Sequence, residues 1–263
     1  VVDAGSLEQA LRDEITGVSA GTTISFSSDL GFNYDSDGDG VDDSLKIDIT
    51  SQIAISKSII IDGDIAGVGD SSDVVLDGGW NDTGNGIGGD PDGLWNSDES
   101  GTRIINATSG FALRNITLQN AGVSGDGAAI YFNAANSILD IDNVVFDHNS
   151  TSGQGSAIKM KASGTTLDID ASAFINNGTS SYGTISATTA STTVMIDDSI
   201  FVGNTSNSSG VINFTAGTGT NTATFTNVTS YGNISPGGGL TNDLRIKNGA
   251  QINLVNSIYY GSN

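Results

Sequence analysis

The stretch Asp142-Asn-Val-Val-Phe-Asp-His-Asn149, followed by Gly153-Gln-Gly-Ser-Ala-Ile158, decides the fold, because a version of it returns about every 28 residues. A fixed period of that size is the signature of a stacked, quasi-one-dimensional architecture. The apolar or aromatic anchors of the successive units are Leu118, Phe146, Phe174, Phe201, Ser230 and Tyr259, at steps of 28, 28, 27, 29 and 29. Five residues before each anchor runs a second series, Leu113, Ile141, Ile169, Ile196, Phe225 and Leu254. Two residues before that runs a third, Phe111, Leu139, Leu167, Val194, Ala223 and Ile252. The i, i+2 spacing places each pair on one face of a strand, whereas a helix would need a 3.6-residue period.

Beyond each anchor a Gly-containing turn leads to a second short strand: Ala129-Ile-Tyr-Phe132, Ala157-Ile-Lys-Met160, Thr184-Ile-Ser-Ala187 and Val211-Ile-Asn-Phe214. Each unit is therefore a coil of two or three strands, and stacked coils make parallel sheets whose edges are open only at the ends. The expected fold is all-β, a single-stranded right-handed parallel β-helix with a short N-terminal capping helix. Three residues past the anchors stand Ala121, Asn149, Asn177, Asn204, Asn233 and Ser262. Asn held at one offset predicts a buried ladder whose amides satisfy the backbone of the bend.

Working back to the start, Val1-Val2-Asp3 reads as a short strand and Ser6-Leu-Glu-Gln9 as a capping box. They introduce a helix with Leu7, Ala10, Leu11 and Ile15 on one face, ended by Gly17 and Gly21. Such a helix would cover the open edge of the first coil. The chain thus reads as one domain over 1–263, with strand and cap helix at 1–22 and irregular early coils at 23–102. Insertions at 31–46 and 77–101 interrupt those coils, and regular coils fill 103–263.

Composition limits the function. Nine basic against 30 acidic residues give a net charge of −21, which argues against nucleic acid and anionic membranes as partners and favours cations. There is no cysteine, hence no disulfide framework, thiolate metal site or thiol nucleophile. No apolar run reaches the length needed to span a bilayer, and no basic-then-apolar leader opens the sequence. The first residue is therefore read as a mature terminus or the edge of an excised domain.

The sharpest local signal is Asp35-x-Asp37-x-Asp39-Gly40-Val41-x-Asp43. Alternate carboxylates, a Gly for the tight bend and a backbone carbonyl from Val41 are what calcium takes from one loop. Lys46 stands where an EF-hand would place a bidentate Glu, so the spacing instead resembles the calcium loops of thrombospondin type 3 repeats. A second acidic stretch, Asp82 to Asp92, has its carboxylates at irregular spacing. Outward positions on the strands before the anchors carry Asp140, Asp142, Asp168, Asp170 and Asp197. Stacked about 4.8 Å apart, these form like-charge rows that solvent or a cation must screen.

Phe146-Asp-His-Asn149, Phe174-Ile-Asn-Asn177 and Phe201-Val-Gly-Asn204 resemble the Phe-x-x-Asn motif of the polymorphic outer-membrane-protein type repeats. Gly127-Ala-Ala-Ile130, Gly155-Ser-Ala-Ile158 and Gly237-Gly-Gly-Leu240 resemble the Gly-Gly-Ala-Ile partner of that motif. Gly5-Ser-Leu-Glu-Gln-Ala10 and Ser58-Ile-Ile-Ile-Asp-Gly63 are similar to the N-terminal coils of large bacterial surface proteins. The resemblance implies an extracellular or surface-displayed, non-catalytic adhesive module of a bacterial or archaeal protein. Its partners would be a glycan or another cell-surface ligand, without membrane insertion.

Two alternatives stand beside it. The chain ends inside a coil at Tyr259 to Asn263, so end-to-end stacking of neighbouring domains or of filament subunits on the C-terminal coil is one expectation. β-Helices also carry polysaccharide lyases and hydrolases, which need a Lys or Arg base, often with calcium, or paired carboxylates. Lys159 and Lys161 point outward on one strand by alternation, and Leu244-Arg-Ile-Lys247 resembles an element of polygalacturonases. The Asn-Thr-Asp and Gly-His-Gly elements of those enzymes are missing, and only Asp197-Asp198 matches the remaining one. His148, the lone histidine, falls at a coil turn.

Overall fold

A computed structural model describes residues 4–35, 40, 43–65, 74–81, 99–208, 210–215, 220–235 and 243–260, with side chains from Leu7 onward. Every pairing between its strands is parallel, and the strands form three sheets of 14, 4 and 7 members. Each coil adds one strand to the seven-stranded sheet, as in Ile130–Phe132, Ile158–Met160, Ile185–Ala187, Ile212–Thr215 and Leu244–Lys247. The chain is a parallel β-helix.

The register reproduces the ladders read from the period. Leu118 pairs with Phe146, Phe146 with Phe174, Phe174 with Phe201, Phe201 with Ser230 and Ser230 with Tyr259. The ladders through Ile141 and Leu139 keep the same step from Leu113 to Leu254 and from Phe111 to Ile252. Inside, the rings of Phe146, Phe174 and Phe201 stack at 4.7 and 4.5 Å, within 5° of parallel. Burial of each such ring contributes about 1.5–3 kcal/mol.

Asn149, Asn177, Asn204 and Asn233 form the expected column, all fully buried. Asn149 Oδ1 accepts from Ala121 N at 2.9 Å, while its Nδ2 donates to Leu118 O and to Asn177 Oδ1 at 3.0 and 2.9 Å. Asn177 and Asn204 repeat the same bonds one coil on. A second polar column was not legible in the period. Ser172 Oγ accepts from Val144 N and Ser199 Oγ from Ser172 N, each at 3.1 Å. Immediately before these serines, at Ala171 and Asp198, and at the equivalent Asn115, Asn143, Asn227 and Asn256 of other coils, the chain turns through the left-handed region. That turn bends the long strand of each coil. In later coils it divides the strand, as between Thr166–Asp170 and Ala173–Ile175.

The glycine that precedes four of the strands of the seven-stranded sheet is required by space as well as by torsion. Gly155 has φ +72°, and a Cβ there would lie 2.4 Å from Ile158 O. The same glycine recurs at 127, 183 and 210. Gly237 to Leu240, matched above to this motif, lies outside the described residues. The strand of that coil is Leu244–Lys247, with Leu244 opposite Ile212.

The N-terminal helix spans Ala4–Gly17, starting before the capping box read at Ser6. Leu7, Leu11 and Ile15 join the core, whereas Ala10 is exposed. Glu8 is buried beside Leu7 and holds the helix on the first coil, accepting from Thr50 N and Oγ1 at 3.1 and 2.7 Å. Val1 to Asp3 lie outside the described residues. Among the described residues no helix is long and apolar enough to cross a membrane.

The early coils are irregular because insertions split their long strands. Thr23–Ser25 and Leu45–Asp48 pair with Ile60–Asp62 and Val74–Asp77, which pair in turn with the continuous strand Phe111–Gln119. The first insertion ends at Ser44 rather than at 46, because Lys46 already pairs with Val75. The ends of the second are clasped to the scaffold. Trp80 N donates to Asn120 O at 2.6 Å, Thr102 N to Gly78 O at 2.9 Å, and the Trp80 indole to buried Glu99 at 2.9 Å. Residues 82–98, including the acidic stretch from Asp82 to Asp92, lie outside the described residues.

Candidate functional site

The acidic loop leaves the first coil through a zipped mouth. Tyr34 and Ser44 form an antiparallel bridge, with Asp43 N and Ser44 N donating to Tyr34 O at 2.9 and 3.0 Å. Asn33 seals it from below, its Oδ1 accepting from Lys46 N at 2.7 Å and its Nδ2 donating to Lys46 O at 3.2 Å. The bridge sets Asp35 and Asp43 on opposite sides of one opening. Asp35 Oδ2 accepts from Gly40 N at 2.8 Å, and Gly40 takes φ +91°, the bend expected of it. Asp37, Asp39 and Val41 lie outside the described residues. Two oxygen-bearing ends held at one mouth fit a hard cation that takes only oxygen ligands.

Beneath the mouth, Asp77 is buried and accepts from Lys46 Nζ, Gln119 Nε2 and Gly79 N at 2.8–2.9 Å. Burial alone would raise its pKa, but the bonds from Lys46, Gln119, Gly79 and Asn120 outweigh burial and hold it below the usual carboxylate value. This network ties the root of the loop to the next two coils.

The aspartate rows fall where alternation placed them. Asp140 stands opposite Asp168 and Asp142 opposite Asp170. With Asp197 and Asp198 they line one open groove on the long sheet. Burial, then the neighbouring charges of Asp140, Asp197 and Asp170, raise the pKa of Asp168. Arg114 reaches Asp140 at 3.2 Å. Among the described residues no three carboxylates or imidazoles converge as metal ligands. The groove is a like-charge row rather than a formed metal site.

His148 lies at the turn, with φ +50°, where sister coils place Asn120, Asn176, Gly203 and Gly232 in the same left-handed conformation. Its Nδ1 meets Asp147 Oδ1 at 2.7 Å, and that bond raises the imidazole pKa. The pair is a feature of one turn, with no counterpart in the sister coils.

The outward side of the seven-stranded sheet holds what sequence reasoning did not assemble. Tyr131, Lys159, Ser186, Asn213 and Arg245 stand in register on successive coils. Although Lys159 points outward as expected, the preceding turn folds over it and leaves it 2% exposed. Its Nζ donates to Gln154 Oε1, Thr188 Oγ1 and Ser186 Oγ at 2.8, 2.8 and 3.2 Å. Burial lowers its pKa to about 8, against the pull of Asp126. At either end of the row a guanidinium covers a tyrosine ring, Arg103 over Tyr131 at 5.0 Å and Arg245 over Tyr182 at 4.1 Å. Register with Lys159 could have found Tyr131 and Arg245; Tyr182 and Gln154 come from turns that carry no period.

The pieces that suggested a polysaccharide-cleaving enzyme are therefore not brought together. Arg245 lies on the seven-stranded sheet, its Nη1 donating to Asn213 Oδ1 at 2.8 Å and Thr215 Oγ1 at 3.2 Å, whereas Asp197 and Asp198 line the groove of the long sheet. No family model, curated protein or solved structure matches the chain.

Proposed function

We propose that the chain is a rigid, calcium-stabilised module of an extracellular surface protein, which displays its outward rows to a glycan or another surface ligand without turning that ligand over. The observation that carries this reading is the Asn149–Asn233 column, in which the buried amides of Asn149, Asn177 and Asn204 are each bonded to the coils before and after. A column bonded along its length resists bending, and function then falls to the outward rows and the inserted loop that it supports. The bacterial surface-repeat resemblance and the −21 charge agree with an extracellular setting.

Calcium enters through Asp35, Asp37, Asp39, Asp43 and the carbonyl of Val41. Its charge would offset the repulsion within the loop and fix the first coil beneath the capping helix. Melting curves recorded with calcium and with chelator test this. The expected result is a higher midpoint with calcium in the wild type, lost in Asp35→Asn. Equal midpoints and no bound metal would remove calcium from the proposal. The non-catalytic part is tested by following unsaturated products and reducing ends across acidic polysaccharides; turnover abolished by Lys159→Ala would make the chain an enzyme.

A further inference from the structure

We infer that the outward side of the seven-stranded sheet is the ligand-binding face, and that its ligand is a linear acidic polysaccharide, a chain of sugars bearing carboxylates. The inference rests on the proposed surface module only in taking a glycan as the ligand class; it does not depend on calcium.

The first observation is where the scarce cations lie. Of nine basic residues in the chain, Arg103, Lys159, Lys161, Arg245 and Lys247 all belong to this side. The aspartate groove occupies a different sheet.

The second is what these cations bond to. With 30 acidic residues available, three of the other four basic residues, Arg12, Lys46 and Arg114, reach a carboxylate within 3.3 Å, while Lys57 bonds the carbonyls of Thr16 and Val18. On the binding side the cations take neutral oxygens instead. Lys159 bonds an amide and two hydroxyls, Arg245 an amide and a hydroxyl, and Arg103 the carbonyls of Gly127 and Asp126 and the amide of Gln52. The carboxylate of Asp126 acts on Lys159 and Arg103 at a distance, while its Oδ1 accepts from Gln154 N at 3.0 Å. Among the described residues none of the three cations has a carboxylate in ion-pair contact; buried Lys159, its three donors satisfied, acts through its field, while Arg103 and Arg245 stand nearer the surface where an incoming anion can meet them.

The third is shape. The row from Tyr131 to Arg245 advances one residue per coil, about 4.8 Å each, a step comparable with the length of one sugar residue. A linear polymer can therefore follow it along the axis. Tyr131 and Tyr182 lie against Arg103 and Arg245 and hold the two guanidinium groups in place at the ends of the row, and exposed Lys161 and Lys247 flank it.

The test uses the whole chain, a linear polyuronate and the same polymer with its carboxyl groups reduced to alcohols, in chelator so that calcium cannot bridge the ligand to the aspartate groove. Binding is measured by calorimetry at two salt concentrations. The expected result is binding to the polyuronate that weakens with salt, is absent for the reduced polymer, and falls about tenfold in Lys161→Glu and in Arg245→Ala, the size of one charge-assisted bond. Lys161 is exposed, so its replacement keeps the test independent of folding. Equal binding of both polymers, binding that needs calcium, or binding unchanged in both variants would overturn the inference. If the reduced polymer binds with variants and wild type alike, this face is wrong while the surface-module reading stands. If neither polymer nor any neutral glycan binds, both fail.

Discussion

The side-chain oxygen of Asn177 accepts two bonds from Asn149 one coil away, from the backbone N–H at 3.0 Å and from the side-chain amide at 2.9 Å. The Nδ2 of Asn177 meanwhile donates to Phe146 O at 2.9 Å and to Asn204 Oδ1 at 3.0 Å. One buried side chain thus serves three coils. Asn177→Leu removes all of these bonds and leaves donors and an acceptor without partners in a site closed to water. A loss of about 2–5 kcal/mol is expected, read as a fall in the urea midpoint. Asn177→Asp should cost more, since it keeps the acceptor, loses both donated bonds and buries a charge. A midpoint within error of wild type for Asn177→Leu would show that the column is not what holds the coils.

A second prediction contrasts two left-handed glycines. Gly155 cannot gain a Cβ without approaching Ile158 O to 2.4 Å, whereas a Cβ at Gly232 meets nothing within 4 Å. Asn120 and Asn176 already occupy the turn position equivalent to Gly232 in other coils, at φ 50° and 52°. Gly155→Ala should therefore destabilise by several kcal/mol, since strand and turn must move apart, while Gly232→Asn should change stability by less than about 1 kcal/mol. Thermal melts of the two variants decide it, and equal losses would refute the assignment of roles.

The ladders were legible in the sequence because they obey one spacing. An inward position keeps its apolar or polar character in most coils, with exceptions such as Ser230 and Ala121, and a period of 27 to 29 residues exposes it. Asn-x-Ser/Thr triplets recur along these ladders. Those at Asn149, Asn177 and Asn204 pair a ladder amide with a hydroxyl that bonds the neighbouring coil, as when Thr151 Oγ1 donates to Val123 O at 3.1 Å. They are fold chemistry on fully buried residues. What stayed hidden is what has no period: the clasp of Trp80 on Glu99, the pairing of the divided early strands with Phe111–Gln119, and the cover of Gln154 and Tyr182 over the outward row. Alternation gives the side on which Lys159 lies, but its burial is set by a turn that folds back over the strand.

The aspartate groove gives a prediction of sign. The raised pKa of Asp168 means that its ionised form is disfavoured in the folded state, by burial first and then by Asp140, Asp197 and Asp170. The folded protein holds that proton to higher pH than the unfolded chain, so this site opposes folding at neutral pH and ceases to as pH falls through the raised value. Asp168→Asn should raise the melting midpoint at pH 7 in low salt. The gain should shrink at about 1 M salt, where screening is complete within a few ångströms. A midpoint that falls, or a gain indifferent to salt, would mean that the groove is already neutralised.

Lys159 gives the opposite slope. Its pKa is lowered by burial to about 8 in the folded protein, against 10.5 when unperturbed. Below pH 8 both states carry the charge and the folded state bears the cost of burying it. Between about pH 8 and 10.5 the folded state releases the proton while the unfolded state keeps it, so the unfolded state binds more protons and stability rises with pH. Lys46 and Tyr259 have raised values and act the other way at higher pH, which confines the useful window to pH 7–9.5. Lys159→Met also leaves Gln154 Oε1 and Thr188 Oγ1 without the lysine's bonds, so its absolute stability mixes two effects. The slope does not. Urea midpoints at pH 7 and 9.5 should rise in wild type relative to Lys159→Met, and parallel pH profiles would show that the ammonium is not held in a desolvated site.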